Sequence, residues 1–172
     1  NHGFFQAPGA WVDAAHRNGS DIFSGIAFFE SWTGDGDATY SAMITQKDAD
    51  GNFIYVKPLI HCLMYFGADG INYNWEDNSY TNTDIVNFHK QLWKYAAEVC
   101  YDNYHSGIYT SQSSFGAHNA DALFGTTATG KTHDTMLNYA NGDFSWQIGP
   151  TVTAAEQVMG TADGVYAGVW IV

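Results

Sequence analysis

Hydrophobic and polar positions along the chain follow two periods, one typical of strands and the other of helices. Short apolar runs rich in β-branched and aromatic residues predict five strands, at 21–29, 69–76, 106–114, 135–139 and 164–172. Apolar residues at steps of three and four predict helices at 55–67 and 82–103, and a shorter helix at 153–160. Two segments rich in Gly, Thr, Asp and Ala, 33–53 and 114–133, are predicted to be loops.

The order of these elements predicts the fold class. Strands that alternate with helices are typical of an α/β protein with a parallel sheet. Five strands in 172 residues give about 34 residues per unit, close to the roughly 31 of a (β/α)8 TIM barrel. An apolar parallel strand that ends a chain would leave an exposed edge, which proteins avoid. We therefore predict one domain over 1–172 that is a fragment of such a barrel, with remaining barrel segments of the same protein as its partners. A small, complete, doubly wound sheet stays open as the alternative.

Composition and charge exclude several classes of protein. The chain is 45% hydrophobic, 16% aromatic and 14% charged, which excludes a disordered chain. It has 6 basic and 18 acidic residues and a net charge of −12, which argues against binding of nucleic acid or anionic membranes. No run of 18 apolar residues predicts a transmembrane segment, and the N-terminal residues lack the features of an intact secretory signal.

Cysteine and histidine spacings predict neither a cofactor nor a metal site. Cys62 and Cys100 lie in helix-like apolar patterns without CxxC spacing, and we expect two buried free thiols. The seven histidines show no HxH or HExxH spacing, so we expect His2 and His16 to serve hydrogen bonding.

Polar residues alternate with apolar ones along the strand at 69–76. Successive side chains of a strand point to opposite faces, so Asn72, Asn74 and Glu76 share one face. The bulky residues between them, Ile71, Tyr73 and Trp75, would face the surrounding helices. We therefore expect the polar row inside the barrel, rising toward the C-terminal mouth where barrel active sites lie. Burial of such polar groups is costly unless they are hydrogen-bonded or used in function. The alternative is therefore a purely structural layer of hydrogen-bonded polar side chains inside the barrel.

The spacing of Asn74 and Glu76 suits hydrolysis of a sugar that carries a 2-acetamido group. Their Cα atoms are about 6–7 Å apart on a strand. Glu76 could protonate the glycosidic oxygen while Asn74 holds the acetamido group, whose own carbonyl oxygen attacks to form an oxazoline. The neighbouring inward positions carry amides rather than a second carboxylate, which favours this substrate-assisted route.

Several segments, in register, resemble glycoside hydrolase family 85, the endo-β-N-acetylglucosaminidases. PGAWVDAAHRNG (8–19) is similar to the helix before the family's second strand and DIFSGIAFFESW (21–32) to that strand. FGADGINYNWE (66–76) matches the strand ending in Asn-x-Glu, and GIYTS (107–111), MLNY (136–139) and VYAGVWI (165–171) resemble the next three. The resemblance implies barrel strands 2 to 6 and hydrolysis of the GlcNAc-β1,4-GlcNAc chitobiose core of an N-glycan or glycoprotein. It also implies a secreted, periplasmic or cell-surface bacterial protein.

The resemblance also assigns roles to residues. Asn74 would orient the acetamido group, Glu76 would act as general acid and then base, and Tyr109 would lie near the reaction centre. The other expected glycan-binding residues at the barrel mouth or in the inward row are Glu30, Trp32, Asn72, Asn138, Tyr139, Trp146 and Trp170. Thr110 and Trp170 stand where the family commonly has Asp. Trp170 is in phase with Gly168 and Val172 and would reshape a glycan subsite.

Three other functions stay open. The segment at 69–76 also fits the chitinase-like family 18 pattern DGxDxDxE, with Asn72 and Asn74 in place of Asp. A barrel that has lost catalysis would be a glycan-binding module. Finally, GTTATGKT (125–132) fits the phosphate-loop pattern GxxxxGK[ST], with Lys131 on phosphate and Thr132 on magnesium. That last function is disfavoured because no strand precedes the segment and no long helix follows it.

Overall fold

The computed structural model describes residues 3–28, 43–75, 81–110, 117–126, 130–139 and 148–168, and the structural statements below concern these residues. Besides a helical turn at 43–45, they form eight strands and five helices. The strands are β1 (Gly3–Phe5), β2 (Ser24–Phe28), β3 (Gly70–Trp75), β4 (His105–Thr110), β5 (Gly125–Thr126), β6 (Gly130–Lys131), β7 (Thr135–Tyr139) and β8 (Val165–Gly168). The helices are α1 (Gly9–Arg17), α2 (Val56–Phe66), α3 (Thr83–Glu98), α4 (Ala117–Phe124) and α5 (Gly149–Met159).

Six strands form one sheet in the order β1-β2-β3-β4-β7-β8. The five predicted strands, β2, β3, β4, β7 and β8, pair in parallel, whereas β1 pairs with β2 in the antiparallel sense. A doubly wound sheet reverses its strand order at a switch point. Among the described strands the parallel order follows the chain without reversal, as it does in a barrel. The prediction of an α/β fold with a parallel sheet is confirmed.

One face of this sheet is covered by helices. Ile71, Tyr73 and Trp75 of β3 are fully buried in one apolar cluster with residues of the two longest predicted helices. Helix α3 begins after Asn82, whose side chain accepts a hydrogen bond from the backbone N–H of Asp84 (2.9 Å). The residues of α2 and α3 in this cluster recur at helical spacing: Val56, Leu59, Ile60, Leu63, Ile85, Phe88, Leu92 and Ala96. The predicted outward direction of the bulky β3 residues is therefore confirmed.

The structure corrects several sequence-based expectations. Helix α4 and the β5–β6 hairpin occupy the segment predicted to be a loop at 114–133. Helix α4 is only eight residues long, and its two large apolar side chains, the buried Leu123 and Phe124, are adjacent at its end, so the sequence shows little helical periodicity there. In the other predicted loop, 33–53, residues 33–42 lie outside the described part of the chain. The rest of it contains a helical turn at 43–45 and an isolated antiparallel bridge between Lys47 and Phe53.

The two cysteines are free, as predicted, but they are not both buried. Cys62 is half-buried on α2, whereas Cys100 is exposed. Cys100 lies just beyond α3 with a φ of 57°, where the chain turns away from the helix axis. No helix among the described residues is long and apolar enough to cross a membrane.

Two buried histidines pack behind the central strand. His89 of α3 and His133, which precedes β7, have ring centroids 4.5 Å apart, and the Tyr73 ring lies 4.8 Å from that of His89. The Nδ1–H of His89 donates to the carbonyl oxygen of Ile85 (2.8 Å), and Nδ1 of His133 is 2.8 Å from Oγ of Ser106. Burial lowers the pKa of His89 to about 4, although the bond to Ile85 opposes this shift. Burial and the adjacent His89 also lower the pKa of His133.

This histidine pair predicts a fold that loses stability in mild acid. Above pH 6.5, the ordinary pKa of histidine, His89 is neutral in both the folded and the unfolded chain. As the pH falls from 6.5 toward 4, only the unfolded chain binds the proton, so the free energy of unfolding decreases. Between pH 7 and pH 5 we expect His89 to contribute a loss of about 2 kcal/mol. Urea unfolding at the two pH values measures this difference.

The matched control for this prediction is His61→Gln. His61 is exposed on α2, where its Nε2 lies 2.9 Å from Oη of Tyr95. We expect His89→Gln to reduce the pH-dependent difference in unfolding free energy and His61→Gln to leave it unchanged. An unchanged difference in His89→Gln would contradict the assignment.

Candidate functional site

The register of the ladders places residues of neighbouring strands in rows across the sheet. We call the side of the sheet that carries Asn72, Asn74 and Tyr109 the polar face. One row on this face runs through Ala27, Asn74, Tyr109, Leu137 and Tyr166. The row nearer the N-terminal ends of the parallel strands runs through Phe5, Gly25, Asn72, Gly107 and Thr135. Neither row contains a charged residue.

Two residues expected at the reaction centre are brought together in the first row. Asn74 of β3 and Tyr109 of β4 are Cα partners on adjacent parallel strands, and both are half-buried. Neighbouring strands are about 4.8 Å apart, so one small ligand could touch both side chains. Asn74 is one residue from the C-terminal end of β3, which is the end where parallel α/β sheets bind ligands.

Several predicted site residues lie outside the described part of the chain. Glu76 directly follows Trp75, the last residue of β3, and is the most important of these residues. The others are Glu30, Trp32, Trp146 and Trp170. Their roles therefore stay predictions.

The backbone of β7 gives the register positions of two further residues. Asn138 pairs with Thr110, which pairs with Trp75, so Asn138 belongs to the row of Trp75 rather than that of Asn74. Tyr139 pairs with Gly168 and stands two residues beyond Leu137, in phase with the Asn74 row and nearer the C-terminal ends of the strands.

Tyr166 is a candidate that the sequence analysis missed. It belongs to the Asn74 row on β8 and its side chain is 54% exposed. Strand alternation places Tyr166 in phase with Gly168 and Trp170, so the sequence pattern already assigned it to their face. The pattern could not show that Tyr166 belongs to the Asn74 row, because that depends on the pairing register of β8.

The described polar face offers neutral hydrogen-bonding groups and aromatic rings. The carboxamides of Asn72 and Asn74 can donate and accept hydrogen bonds, and the phenols of Tyr109 and Tyr166 can do both. Aromatic rings beside a few convergent polar groups suit an uncharged ligand with an apolar face, such as a sugar ring.

Asp69, at the opposite end of β3, has a structural role. It is only 5% exposed. Its carboxylate accepts a hydrogen bond from the backbone N–H of Ile22 (2.8 Å) and lies 2.8 Å from Nε2 of His16. Asp69 therefore ties the end of α1 and the segment before β2 to the start of β3, and His16 serves hydrogen bonding as predicted.

The phosphate-loop hypothesis is wrong. Residues 125–126 and 130–131 form the two-stranded β5–β6 hairpin, and the next element is strand β7 rather than a helix. The Nζ of Lys131 lies 4.3 Å from the centroid of the Trp93 ring and 3.5 Å from Oδ2 of Asp134, while Thr132 is fully buried. Residues 130–139, which the structure describes, contain no helix whose N-terminus could bind phosphate. Within the described ranges, no group of three His, Cys, Asp or Glu side chains could hold a metal ion.

Comparisons with known proteins agree with this geometry. The model of glycosyl hydrolase family 85 matches residues 1–170. A solved structure to which the chain is similar is the Ostrinia furnacalis Group II chitinase catalytic domain 2, determined in complex with penta-N-acetylchitooctaose. The TM-score is 0.55 at 13% identity, over 90% of this chain and 46% of the chitinase chain. The chain thus spans about half the length of the chitinase chain and has a similar α/β fold with a parallel sheet. No curated protein matches the sequence.

Proposed function

This chain belongs to glycosyl hydrolase family 85, and on that premise we propose that it is part of an endo-β-N-acetylglucosaminidase. The enzyme would hydrolyse the GlcNAc-β1,4-GlcNAc bond in the chitobiose core of N-glycans. The observation that carries this proposal is the position of Asn74, next to Tyr109 and one residue before the end of β3, with Glu76 two residues further on.

The reaction would use the acetamido group of the substrate as nucleophile. Asn74 would hold this group so that its carbonyl oxygen faces the anomeric carbon, and Glu76 would protonate the departing glycosidic oxygen. The bond from the anomeric carbon to that oxygen breaks as an oxazolinium ion forms, which is the protonated oxazoline and keeps the amide N–H. Glu76, now a carboxylate, then takes a proton from a water molecule that opens the oxazoline, and the anomeric configuration is retained.

The absence of a carboxylate from the described polar rows supports this route over one with a covalent glycosyl-enzyme. A retaining glycosidase with a carboxylate nucleophile needs its two carboxyl groups about 5–5.5 Å apart. Asn72 and Asn74, the two residues below Glu76 on the same face, carry amides instead. The carboxamide at 74 also favours this activity over family 18-like chemistry, whose pattern has Asp there.

Five parallel strands in chain order support the proposal that this chain is strands 2 to 6 of a (β/α)8 barrel. The remaining strands would come from other segments of the same protein and complete the cavity around Asn74. A secreted, periplasmic or cell-surface location in bacteria belongs to the same proposal, because it rests on the resemblance to bacterial glycan-degrading enzymes.

The product left on a glycoprotein tests the proposal. We expect the full-length protein, incubated with a high-mannose glycoprotein, to leave a single GlcNAc on each modified asparagine, detectable by mass spectrometry. Intact glycans that nevertheless bind the protein would indicate a catalytically silent glycan-binding barrel. Release of chitobiose from chitin oligomers with no action on the glycoprotein would indicate a chitinase-like enzyme, and either outcome would reject the proposal.

A further inference from the structure

Asn72 occupies a row that is otherwise free of side chains on the adjacent strands. Its Cα partners are Gly25 on β2 and Gly107 on β4. A Cβ atom added to Gly107 would lie 2.6 Å from Oδ1 of Asn72, whereas one added to Gly25 would meet nothing closer than 3.7 Å. The carboxamide of Asn72 therefore leans over Gly107, toward the strand that carries Tyr109.

The fold by itself does not account for an amide at this position. Asn72 is half-buried, and its side chain makes no hydrogen bond to another residue in the described part of the chain. A leucine has a similar shape, suits a strand better and would carry no polar groups to satisfy. Because no hydrogen bond within the protein explains the amide of Asn72, we infer that it serves the function of the site.

Asn74 lies directly above Asn72 on the same face of the strand. Residues two apart on a strand have Cα atoms about 6–7 Å apart, which is close enough for one water molecule to bridge their two carboxamides. The two ends of an asparagine amide differ chemically, because one donates and the other accepts hydrogen bonds. The terminal torsion of asparagine is soft, so a neighbouring group is needed to fix which end faces the substrate.

We propose that Asn72 is a positioning residue that fixes the orientation of the Asn74 carboxamide from below, with its own amide held over Gly107. The contact would run through one bridging water molecule, because the Asn72 side chain makes no direct hydrogen bond to a described residue. This inference rests on the proposed function, because it assigns Asn72 to oxazoline formation rather than to glycan binding. Gly107 is part of the same arrangement, since any side chain there would displace the Asn72 amide.

Steady-state kinetics of Asn72→Leu in the full-length protein tests the proposal with two substrates, a glycoprotein and a synthetic glycan oxazoline. We expect kcat for glycoprotein hydrolysis to fall about tenfold, the equivalent of one neutral hydrogen bond. KM for the glycoprotein should stay unchanged. The rate on the supplied oxazoline should also stay unchanged, because that substrate bypasses oxazoline formation, the step in which Asn74 acts. Gly107→Ala should show the same pattern, and Gly25→Ala, on the other side of Asn72, should behave as the wild type.

A double-mutant cycle separates positioning from other roles. Adding Asn72→Leu to Asn74→Ala should cause no further loss, because the residue to be oriented is then absent. A raised KM with unchanged kcat would make Asn72 a direct substrate contact, and equal loss on both substrates would make its role structural. Either result overturns the proposal, as does wild-type kinetics in Asn72→Leu. An inactive wild-type protein would reject the proposed function together with this inference, so the two failures are distinguishable.

Discussion

Replacing Asn74 by alanine is expected to lower kcat for glycoprotein hydrolysis by at least about a hundredfold. The truncated side chain can no longer orient the acetamido group, so the oxazoline no longer forms at a useful rate. Hydrolysis of a supplied glycan oxazoline should persist, because Glu76 remains to activate water. Glu76→Gln should lose both reactions while it still binds the glycan. Product formation from the two substrates, measured side by side, separates these roles.

The control for this pair of variants is Asn87→Ala. Asn87 is exposed on α3 and lies away from the polar face, so its loss should leave both rates unchanged. Thermal unfolding should give similar midpoints for all of these variants if they fold alike. Ordinary hydrolysis by Glu76→Gln, or loss of oxazoline processing in Asn74→Ala, would show that the roles of acid and acetamido-orienting residue are assigned wrongly.

Replacing Gly70 by alanine is expected to destabilise the fold by at least about 3 kcal/mol. Gly70 begins β3 with a φ of 155°, and a Cβ atom there would lie 2.0 Å from the backbone carbonyl oxygen of His105. Backbone of the neighbouring strand cannot move aside without breaking the β3–β4 ladder, which carries both Asn74 and Tyr109. We expect low soluble yield and, for the protein recovered, a large drop in the urea midpoint.

Gly9→Ala is the matched control for Gly70→Ala. Gly9 is the first residue of α1, and a Cβ atom there would meet nothing within 4 Å. Alanine is the better helix former, so the free energy of unfolding should stay the same or rise slightly. Equal stability of the Gly9 and Gly70 variants would mean that β3 and β4 are not packed as closely as described.

The elements of the fold and the polar row of β3 followed from local patterns. The alternation along 69–76 correctly separated Tyr73 and Trp75, now buried under helices, from Asn72 and Asn74. The prediction worked because a strand fixes its side-chain period by itself. A short helix such as α4 was missed because eight residues whose only large apolar side chains, Leu123 and Phe124, are adjacent carry little periodic signal.

Relations between distant segments were not available from such patterns. The row that joins Asn74 to Tyr166 depends on three successive strand pairings, and a slip of one residue in any of them would change it. The packing of His89 against His133, which predicts acid sensitivity, likewise depends on how α3 packs against the segment before β7.

Local side-chain order thus determined which residues of the central strand face the helices and which face the candidate site. The sequence alone determines these two faces, because the extended backbone of a strand alternates its side chains independently of the rest of the chain. Only the tertiary structure decided that Gly107 makes room for Asn72, that Asn138 belongs to the row of Trp75, and that Lys131 rests on Trp93. Each of these facts depends on register and packing between segments far apart in the chain, and no local pattern encodes them.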